Sequence, residues 1–157
     1  MDLRIGQGFD VHPWSDDPRR RLVLGGVEVA GERGLAGHSD ADVLSHAVAD
    51  ALLGAAGLGD IGTHFPDTDA RFRGADSLTL LADVIERLRA DRWSVGNVDT
   101  TVILEAPKLA PHRAAMEDRL SAVVGGPVSV KAKRAEGLGA LGRGEGVACF
   151  AVALLVR

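Results

Sequence analysis

The feature that most limits how this chain can fold is an Ala- and Leu-rich segment, His38–Asp69, which carries aspartates and histidines at helical spacing. The pattern predicts a helix over about residues 41–56, with Ser39 as its N-cap and Asp42 three residues later, in the capping-box position. One face of this helix is apolar and predicts burial in a core; it consists of Val43, Leu44, Ala47, Val48, Ala51 and Leu52.

A polar stripe runs along a different face of the same helix. Asp42, His46 and Asp50 follow one another at i, i+4 and i+8, so their side chains lie in one row. Three such residues on an Ala/Leu helix are costly if they are buried. The simpler interpretation is a solvated helix face, and the alternative is a functional site.

The bulk properties predict a single soluble domain over residues 1–157. A formal net charge of −4 gives no support for nucleic-acid binding by bulk attraction, so an anionic substrate would need local cations or a metal. The single cysteine, Cys149, excludes an internal disulfide and favours a reducing compartment. The N-terminus lacks a signal-peptide core, and the longest apolar run, Val147–Val156, is shorter than the roughly 20 residues that a membrane helix needs. We therefore expect a cytoplasmic protein.

The order of the remaining elements predicts an α+β fold. Two short strands are predicted about the Gly25-Gly26 turn, and long strands and further helices follow the period-2 and period-3.6 patterns. The predicted long strands cover residues 3–12, 93–105, 127–133 and 147–157, and the further helices cover 77–90 and 111–124. This order favours a mixed four-stranded sheet with helices on one face.

The last predicted strand is apolar on both faces. One face carries Phe150, Val152 and Leu154, and the other carries Cys149, Ala151, Ala153 and Leu155. Because three helices can cover only one face of the sheet, the second face is expected to meet another subunit, so that sheets pack together in an oligomer.

Two glycine-rich segments match the dinucleotide fingerprint G-x-G-x-x-G, namely Gly57–Gly62 and Gly137–Gly142. That fingerprint must follow a strand and open a helix within a βαβ unit. The first segment follows a helix, and the second is followed by a strand with too little chain left for a nucleotide-binding half. Both are therefore interpreted as turns.

A metal site is the sharper hypothesis. Asp10 and His12 are two residues apart on a predicted strand, so they leave the same face roughly 6.6 Å apart along the backbone. His nitrogen and Asp oxygen bind zinc at about 2.0–2.2 Å, and adding His46 completes three protein ligands with a fourth position open, as in catalytic zinc sites. The alternative is that the D-x-H motif is structural or incidental, since spacing alone does not bring the three residues together.

Several cations lie near the glycine-rich loops, where they could cradle phosphates together with backbone N–H groups. They are Lys108, Lys131, Lys133, Arg134 and Arg143. From spacing alone, scattered surface cations are the simpler interpretation.

Five motifs stand in an order and spacing that resemble one enzyme family. They are GFDVH, HSDADVLSHAVADALLGAAGLGDIG, FPDTD, EAPK and GRGEG, between about Arg4 and Leu155. The chain resembles the 2-C-methyl-D-erythritol 2,4-cyclodiphosphate synthases of the non-mevalonate isoprenoid pathway. The resemblance implies a homotrimer with active sites at subunit interfaces, zinc, and magnesium or manganese as a second cation. It also implies an intramolecular phosphoryl transfer that closes a cyclic diphosphate and releases CMP from a cytidine diphosphate substrate.

The resemblance also implies roles for individual residues. Asp10, His12 and His46 would hold zinc, and Glu136 would hold the second cation. The residues implied as catalytic are His38, Lys108 and Glu136. The residues implied as substrate-binding are His38, Ser39, Asp60, Gly62, Phe65, Asp67, Ala106, Pro107, Lys108, Leu109, Lys133, Arg134 and Arg143.

The chain departs from the family pattern just before Glu136. The family usually has threonine or serine there to hold the nucleotide phosphates, whereas this chain has Lys133-Arg134-Ala135. The two cations could hold those phosphates by charge, or they could block the pocket.

In some family members an isoprenoid diphosphate binds on the trimer axis; Phe9 and Arg143 match that lining, whereas Gln7 and Ala140 replace a histidine and an aromatic residue. Two further functions stay open at this point: a metal-dependent phosphohydrolase, and a non-catalytic trimer that binds isoprenoid diphosphates.

Overall fold

The computed structural model describes all residues from 1 to 157. The strands and helices are, in chain order, β1 (Leu3–Pro13), β2 (Val23–Leu24), β3 (Val27–Glu28), α1 (Val43–Ala56), α2 (Ile61–His64), α3 (Ser77–Ala90), β4 (Ser94–Ile103), α4 (Arg113–Val124), β5 (Val128–Lys133), α5 (Gly139–Gly142) and β6 (Gly146–Val156), with a short 3₁₀ turn over Ala70–Phe72 between α2 and α3. This order confirms the predicted α+β class. No helix is long and apolar enough to cross a membrane.

The main sheet has four strands in the order β1-β6-β4-β5. Strand β6 pairs antiparallel with both β1 and β4, whereas β4 pairs parallel with β5. The mixed four-stranded sheet is thus confirmed, and β2 and β3 form a separate hairpin about Gly25 and Gly26. Because β6 is central, the most apolar strand of the sequence lies between β1 and β4.

Helix α1 packs directly on the backbone of β1 at two glycines. A Cβ atom at Gly6 would lie 2.0 Å from the carbonyl oxygen of Ala51, and one at Gly8 would lie 2.0 Å from that of Ala47. Any side chain at either position would push the helix off the strand. The strand continues past these glycines on the same face to Asp10, so the close contact also places Asp10 beside α1.

The helices cover one face of the sheet, as predicted. Their apolar residues and the inner face of the sheet form one core cluster of 34 buried residues, in which α1 is central. The outer face of the sheet is open and exposes apolar side chains of β1 and β6, namely Ile5, Phe9, Val11, Phe150 and Val152. The rings of Phe9 and Phe150 contact each other across the strand pair, with centroids 4.9 Å apart and planes tilted by 45°.

The predicted start of α1 is wrong. Ala41 has a φ of +57°, a left-handed conformation that a helix cannot include, and the helix begins at Val43. Its N-cap is therefore Asp42, which accepts a hydrogen bond from the Ser45 N–H at 3.0 Å. The same fully buried carboxylate accepts from the Gly25 and Gly26 amides, at 2.8 Å each, and from the Ser45 hydroxyl. Asp42 thus has a structural role, joining α1 to the β2–β3 turn.

Candidate active site

Strand β1 and helix α1 bring Asp10, His12 and His46 together. Asp10 and His12 are alternate residues on the inner face of β1, and His46 lies in the first turn of α1. Oδ2 of Asp10 lies 3.0 Å from Nε2 of His12 and 2.9 Å from Nδ1 of His46. One ligand atom from each of the three residues lies within 4.8 Å of the other two. The structure thus makes a compact cluster from residues that lie 36 positions apart in the chain.

The other nitrogen of each ring is occupied by a partner outside the cluster. Nδ1 of His12 lies 2.7 Å from the carbonyl oxygen of Ala36, which can only accept, so this nitrogen carries the proton. Nε2 of His46 lies 2.8 Å from the Ser77 hydroxyl. Each ring therefore turns its opposite nitrogen toward Asp10, and three lone pairs converge on one point. Such a donor set requires a proton or a cation at its centre, and two imidazole nitrogens with one carboxylate oxygen fit a first-row transition metal such as zinc.

The charges within this cluster perturb its acid–base chemistry. Burial alone would raise the pKa of Asp10, but the neighbouring His12 and His46 rings outweigh it and hold that pKa well below its usual range. Burial alone would lower the pKa of His12, but the neighbouring Asp10 carboxylate raises it instead. Asp10 is therefore anionic at neutral pH, which favours a positive charge between the three residues.

The cluster opens into a cleft of about 480 Å³. Five residues implied as substrate-binding line this cleft together with the cluster, namely His38, Ser39, Gly62, Phe65 and Asp67. Sequence reasoning did not single out the other lining residues, which are Gly37, Ile61, Pro66, Phe72 and Leu80. The cleft can therefore hold a ligand directly against the exposed side of the cluster.

The segment that carries His38 and Ser39 is fixed from behind by Arg20. Its guanidinium donates to the carbonyl oxygen of Leu35 at 2.6 Å and to that of Ser39 at 2.9 Å. The side chain of His38 is held separately, since its Nε2 donates to the Asp69 carbonyl oxygen at 2.9 Å. The segment of His38 and Ser39 is thereby joined to Arg20 through its backbone and to Asp69 through the His38 side chain.

The glycine-rich exit of α1 is held in place by two aspartates. Asp50 accepts from the Ile61 N–H at 3.1 Å, which joins α1 to α2. Asp60 caps α2, accepting from the Thr63 N–H at 2.8 Å and from the Thr63 hydroxyl at 2.7 Å. Asp60 itself does not line the cleft, whereas Gly62 in the same helix does.

The remaining implied substrate residues gather elsewhere on the chain. Pro107, Lys108, Leu109, Lys133 and Arg134 line a separate hollow of about 210 Å³ at the ends of β4 and β5. Ala106 lines an adjoining hollow with Trp14 and Glu105. Glu136 and Arg143 lie outside these hollows and the cleft, and outside the cluster of Asp10, His12 and His46, which we call the metal-type cluster. One chain therefore carries two groups of site residues rather than one continuous site.

Arg134 forms an ion pair with Glu105. Its Nε and Nη2 lie 3.3 and 3.2 Å from one oxygen of that carboxylate, and the other oxygen accepts from the Ala135 N–H at 2.7 Å. Although burial by itself would raise the pKa of Glu105, these donors lower it. Arg143 is similarly paired with Glu145 at 2.6 Å. Lys108 and Lys133 are exposed and have no acidic partner within ion-pair distance.

Comparison with known proteins identifies the family. The YgbB family model matches residues 3–156. The chain belongs to the YgbB family. A relative from Thiobacillus denitrificans named 2-C-methyl-D-erythritol 2,4-cyclodiphosphate synthase is 56% identical over 159 residues, covering 99% of this chain and 98% of the relative. A Burkholderia ambifaria relative of the same name is 58% identical over 160 residues, covering 100% of this chain and 98% of the relative. The family resemblance seen in the sequence motifs is confirmed.

Solved structures of related proteins have the same fold as this YgbB-family chain. The bifunctional IspDF of Campylobacter jejuni superposes with a TM-score of 0.93 at 39% identity, over 98% of this chain. This chain spans 42% of that longer protein. The IspF of Plasmodium falciparum in a CDP complex superposes with a TM-score of 0.85 at 34% identity, over 99% of this chain and 96% of that one.

Proposed function

We propose that this chain is a 2-C-methyl-D-erythritol 2,4-cyclodiphosphate synthase, with residues 1–157 acting as one catalytic domain. It converts 4-diphosphocytidyl-2-C-methyl-D-erythritol 2-phosphate to 2-C-methyl-D-erythritol 2,4-cyclodiphosphate and CMP. The observation that carries this proposal is the convergence of Asp10, His12 and His46 at the mouth of a cleft, in a chain of this family.

The reaction is an internal phosphoryl transfer. An oxygen of the 2-phosphate forms a bond to the β-phosphorus of the same molecule, the bond from that phosphorus to the oxygen bridging the α-phosphorus breaks, and CMP leaves with the electron pair. The attacking phosphate oxygen is already anionic at neutral pH, so no strong general base is needed. The chain must instead fold the substrate for in-line attack and neutralise its charge.

We assign zinc to Asp10, His12 and His46. Three protein ligands leave a fourth position open toward the cleft, which is the arrangement of a catalytic zinc. When bound there, zinc would act as a Lewis acid toward a phosphate oxygen. Glu136 is our candidate ligand for magnesium or manganese, since a carboxylate oxygen suits a hard cation.

The substrate would lie across both groups of site residues. In the cleft, His38 and Ser39 would bind its phosphates and Asp67 its erythritol hydroxyls, with Phe65 as the apolar wall and Asp60 and Gly62 near the ribose. The cytosine would lie at Ala106, Pro107, Lys108 and Leu109. Lys133, Arg134 and Arg143 would supply positive charge for phosphates. The related Plasmodium falciparum IspF was solved as a CDP complex, which supports a cytidine diphosphate substrate.

We propose a homotrimer in which these two groups meet across subunit interfaces. Within one chain the two groups line separate hollows. The outer face of the sheet exposes apolar residues of β1 and β6, of which Ile5 is 75% exposed. A patch of this kind on a sheet marks a surface that another protein covers.

The one cysteine is buried and unpaired, which agrees with the reducing cytoplasm as the compartment of this enzyme.

Phosphorus NMR of the purified protein with the proposed substrate, Zn²⁺ and Mg²⁺ tests the function. We expect the signals of a cyclic diphosphate to grow together with those of CMP. CMP together with a linear phosphate would instead identify a phosphohydrolase. No change of the substrate signals, with zinc bound and the protein folded, would overturn the proposed activity.

A further inference from the structure

We infer that Ser77 and Asp40 are positioning residues for His46: together they set which ring nitrogen carries the proton and hold the ring toward the metal position. The inference rests on the proposed zinc site and goes beyond it, since the family resemblance assigned a role to neither residue. Ser77 is the first residue of α3, 31 positions after His46, and is 1% exposed. It does not line the cleft.

The hydrogen bonds determine the direction of donation. The hydroxyl of Ser77 makes a short hydrogen bond to Oδ1 of Asp40, and the Ser77 N–H donates to Oδ2 at 3.0 Å. An ionised carboxylate only accepts, so the serine proton points toward Asp40 and an oxygen lone pair of Ser77 faces the ring. Nε2 of His46, 2.8 Å away, must then be the donor. Its Nδ1 is left with a free lone pair, 2.9 Å from Asp10.

A second hydroxyl near the ring is less suited to this role. Ser39 lies 3.1 Å from Nε2 of His46, farther than Ser77, and it also accepts from the Ala41 N–H. Unlike Ser77, Ser39 lines the cleft. We therefore assign the two serines different roles. Ser77 orients the ring from outside the cleft, and the hydroxyl of Ser39 is free to contact a ligand in the cleft.

Asp40 is itself fixed by the loop on which α3 begins. Its Oδ1 also accepts from the Asp42 N–H at 3.1 Å, next to the start of α1. Its backbone N–H donates to the Ala75 carbonyl oxygen at 3.0 Å, and the Gly74 N–H donates to that of His38 at 2.8 Å. The orientation of the His46 ring thus depends on how the start of α3 is seated against residues 38–40. Partners of this kind usually change metal affinity about 10- to 100-fold when removed.

The test compares Ser77→Ala with Ser45→Ala. Ser45 is a matched control because it is also a buried serine whose hydroxyl donates to an aspartate, but it contacts Asp42 and not the ring. Zinc affinity is measured by competition with a chromophoric chelator, without substrate, and folding is checked by thermal denaturation. We expect Ser77→Ala to bind zinc about 10- to 100-fold more weakly, Ser45→Ala to bind within about threefold of the parent, and Ser77→Thr to recover most of the affinity.

Nitrogen-15 NMR of histidine-labelled, zinc-bound protein gives a second readout. In the parent protein, we expect the Nε2 of His46 to carry the proton and to show a hydrogen-bonded shift that Ser77→Ala loses. Equal zinc affinity in Ser77→Ala and Ser45→Ala, or an unchanged Nε2 signal, would overturn the inference even if the enzyme makes the cyclic product. Conversely, a selective loss of zinc affinity in a protein that makes no cyclic product would contradict the proposed function and leave the positioning role standing.

Discussion

The two halves of the proposed site differ in how far a single chain organises them. At the metal-type cluster, the side chains of His12 and His46 are 19% and 12% exposed, and each ring is held by a hydrogen bond on its far side. At the hollow lined by Pro107 and Lys108, Lys133 is exposed, and Arg134 is held by an ion pair at the surface. The first half is built by packing, whereas the second is built on the ends of strands at the surface.

This difference in burial determines how firmly the side chains of each half are held in one geometry. Buried groups with satisfied hydrogen bonds keep one geometry because any other leaves a polar atom unpaired. Exposed ion pairs contribute little and are screened by salt, so they do not hold long side chains in one place. We expect substitutions in the first half to abolish the site and substitutions in the second half to weaken it.

The largest effect is expected for Gly8→Ala. The new Cβ would meet the Ala47 carbonyl oxygen, adjacent to His46, so α1 must move away from β1 and the cluster must open. We expect a loss of stability of about 3 kcal/mol or more together with a loss of zinc binding. Chemical denaturation and metal analysis measure both.

Gly54→Ala is the matched control for that substitution. Gly54 lies within α1 close to β1, but its Cβ would come no nearer than 3.9 Å to the Gln7 carbonyl oxygen. Replacing glycine by alanine in a helix with room is expected to stabilise by about 0.5–1 kcal/mol. If both variants behave alike, the close packing of α1 on β1 does not determine the site.

His46→Ala is expected to have the next largest effect. It removes one of three ligands, so we expect the loss of stoichiometric zinc and a fall in turnover of at least about a hundredfold, beyond the range for outer partners. CMP release and zinc content are measured together. His112→Ala, which replaces a histidine outside the cluster, should leave both unchanged. Full activity of His46→Ala would exclude this cluster from the reaction.

Glu136→Gln is expected to reduce activity by about 10- to 100-fold, since a second cation neutralises phosphate charge in reactions of this kind. Zinc content should stay normal because Glu136 is not part of the metal-type cluster. Titrating activity against Mg²⁺ should show a shift to higher concentration. Glu86→Gln, at an exposed position on α3, is the control. An unchanged Mg²⁺ dependence would show that Glu136 does not bind the second cation.

The smallest effect is expected for Glu105→Gln. The change frees Arg134 while an amide oxygen can still accept from Ala135, so we expect a change in KM of no more than about fivefold. Because the pKa of Glu105 is lowered from 4.5, the ion pair is complete above about pH 4.5 and is lost as the pH falls through the lower folded pKa. The KM of the parent should therefore show no step from this pair between pH 6 and pH 8. A lower KM in Glu105→Gln would mean that the freed guanidinium binds phosphate, and a higher KM that it blocks the hollow.

Much of the architecture could be predicted from local pattern. The helix over residues 77–90 and the inward-facing residues of β6 are found as expected, because periodicity reports directly on burial. The start of α1 could not be predicted in this way, since the left-handed Ala41 and the buried cap at Asp42 depend on the distant Gly25-Gly26 turn.

The element order, the apolar faces and the D-x-H pair can be read from the sequence, because each depends on residues close together in the chain. Three contacts are visible only in the folded chain: His46 with that pair, Ser77 with the His46 ring, and Glu105 with Arg134. No local pattern predicts these contacts, because they join residues 29 to 36 positions apart. Such contacts form only when α1 packs on the glycines of β1 and the loop before α3 packs against residues 38–40.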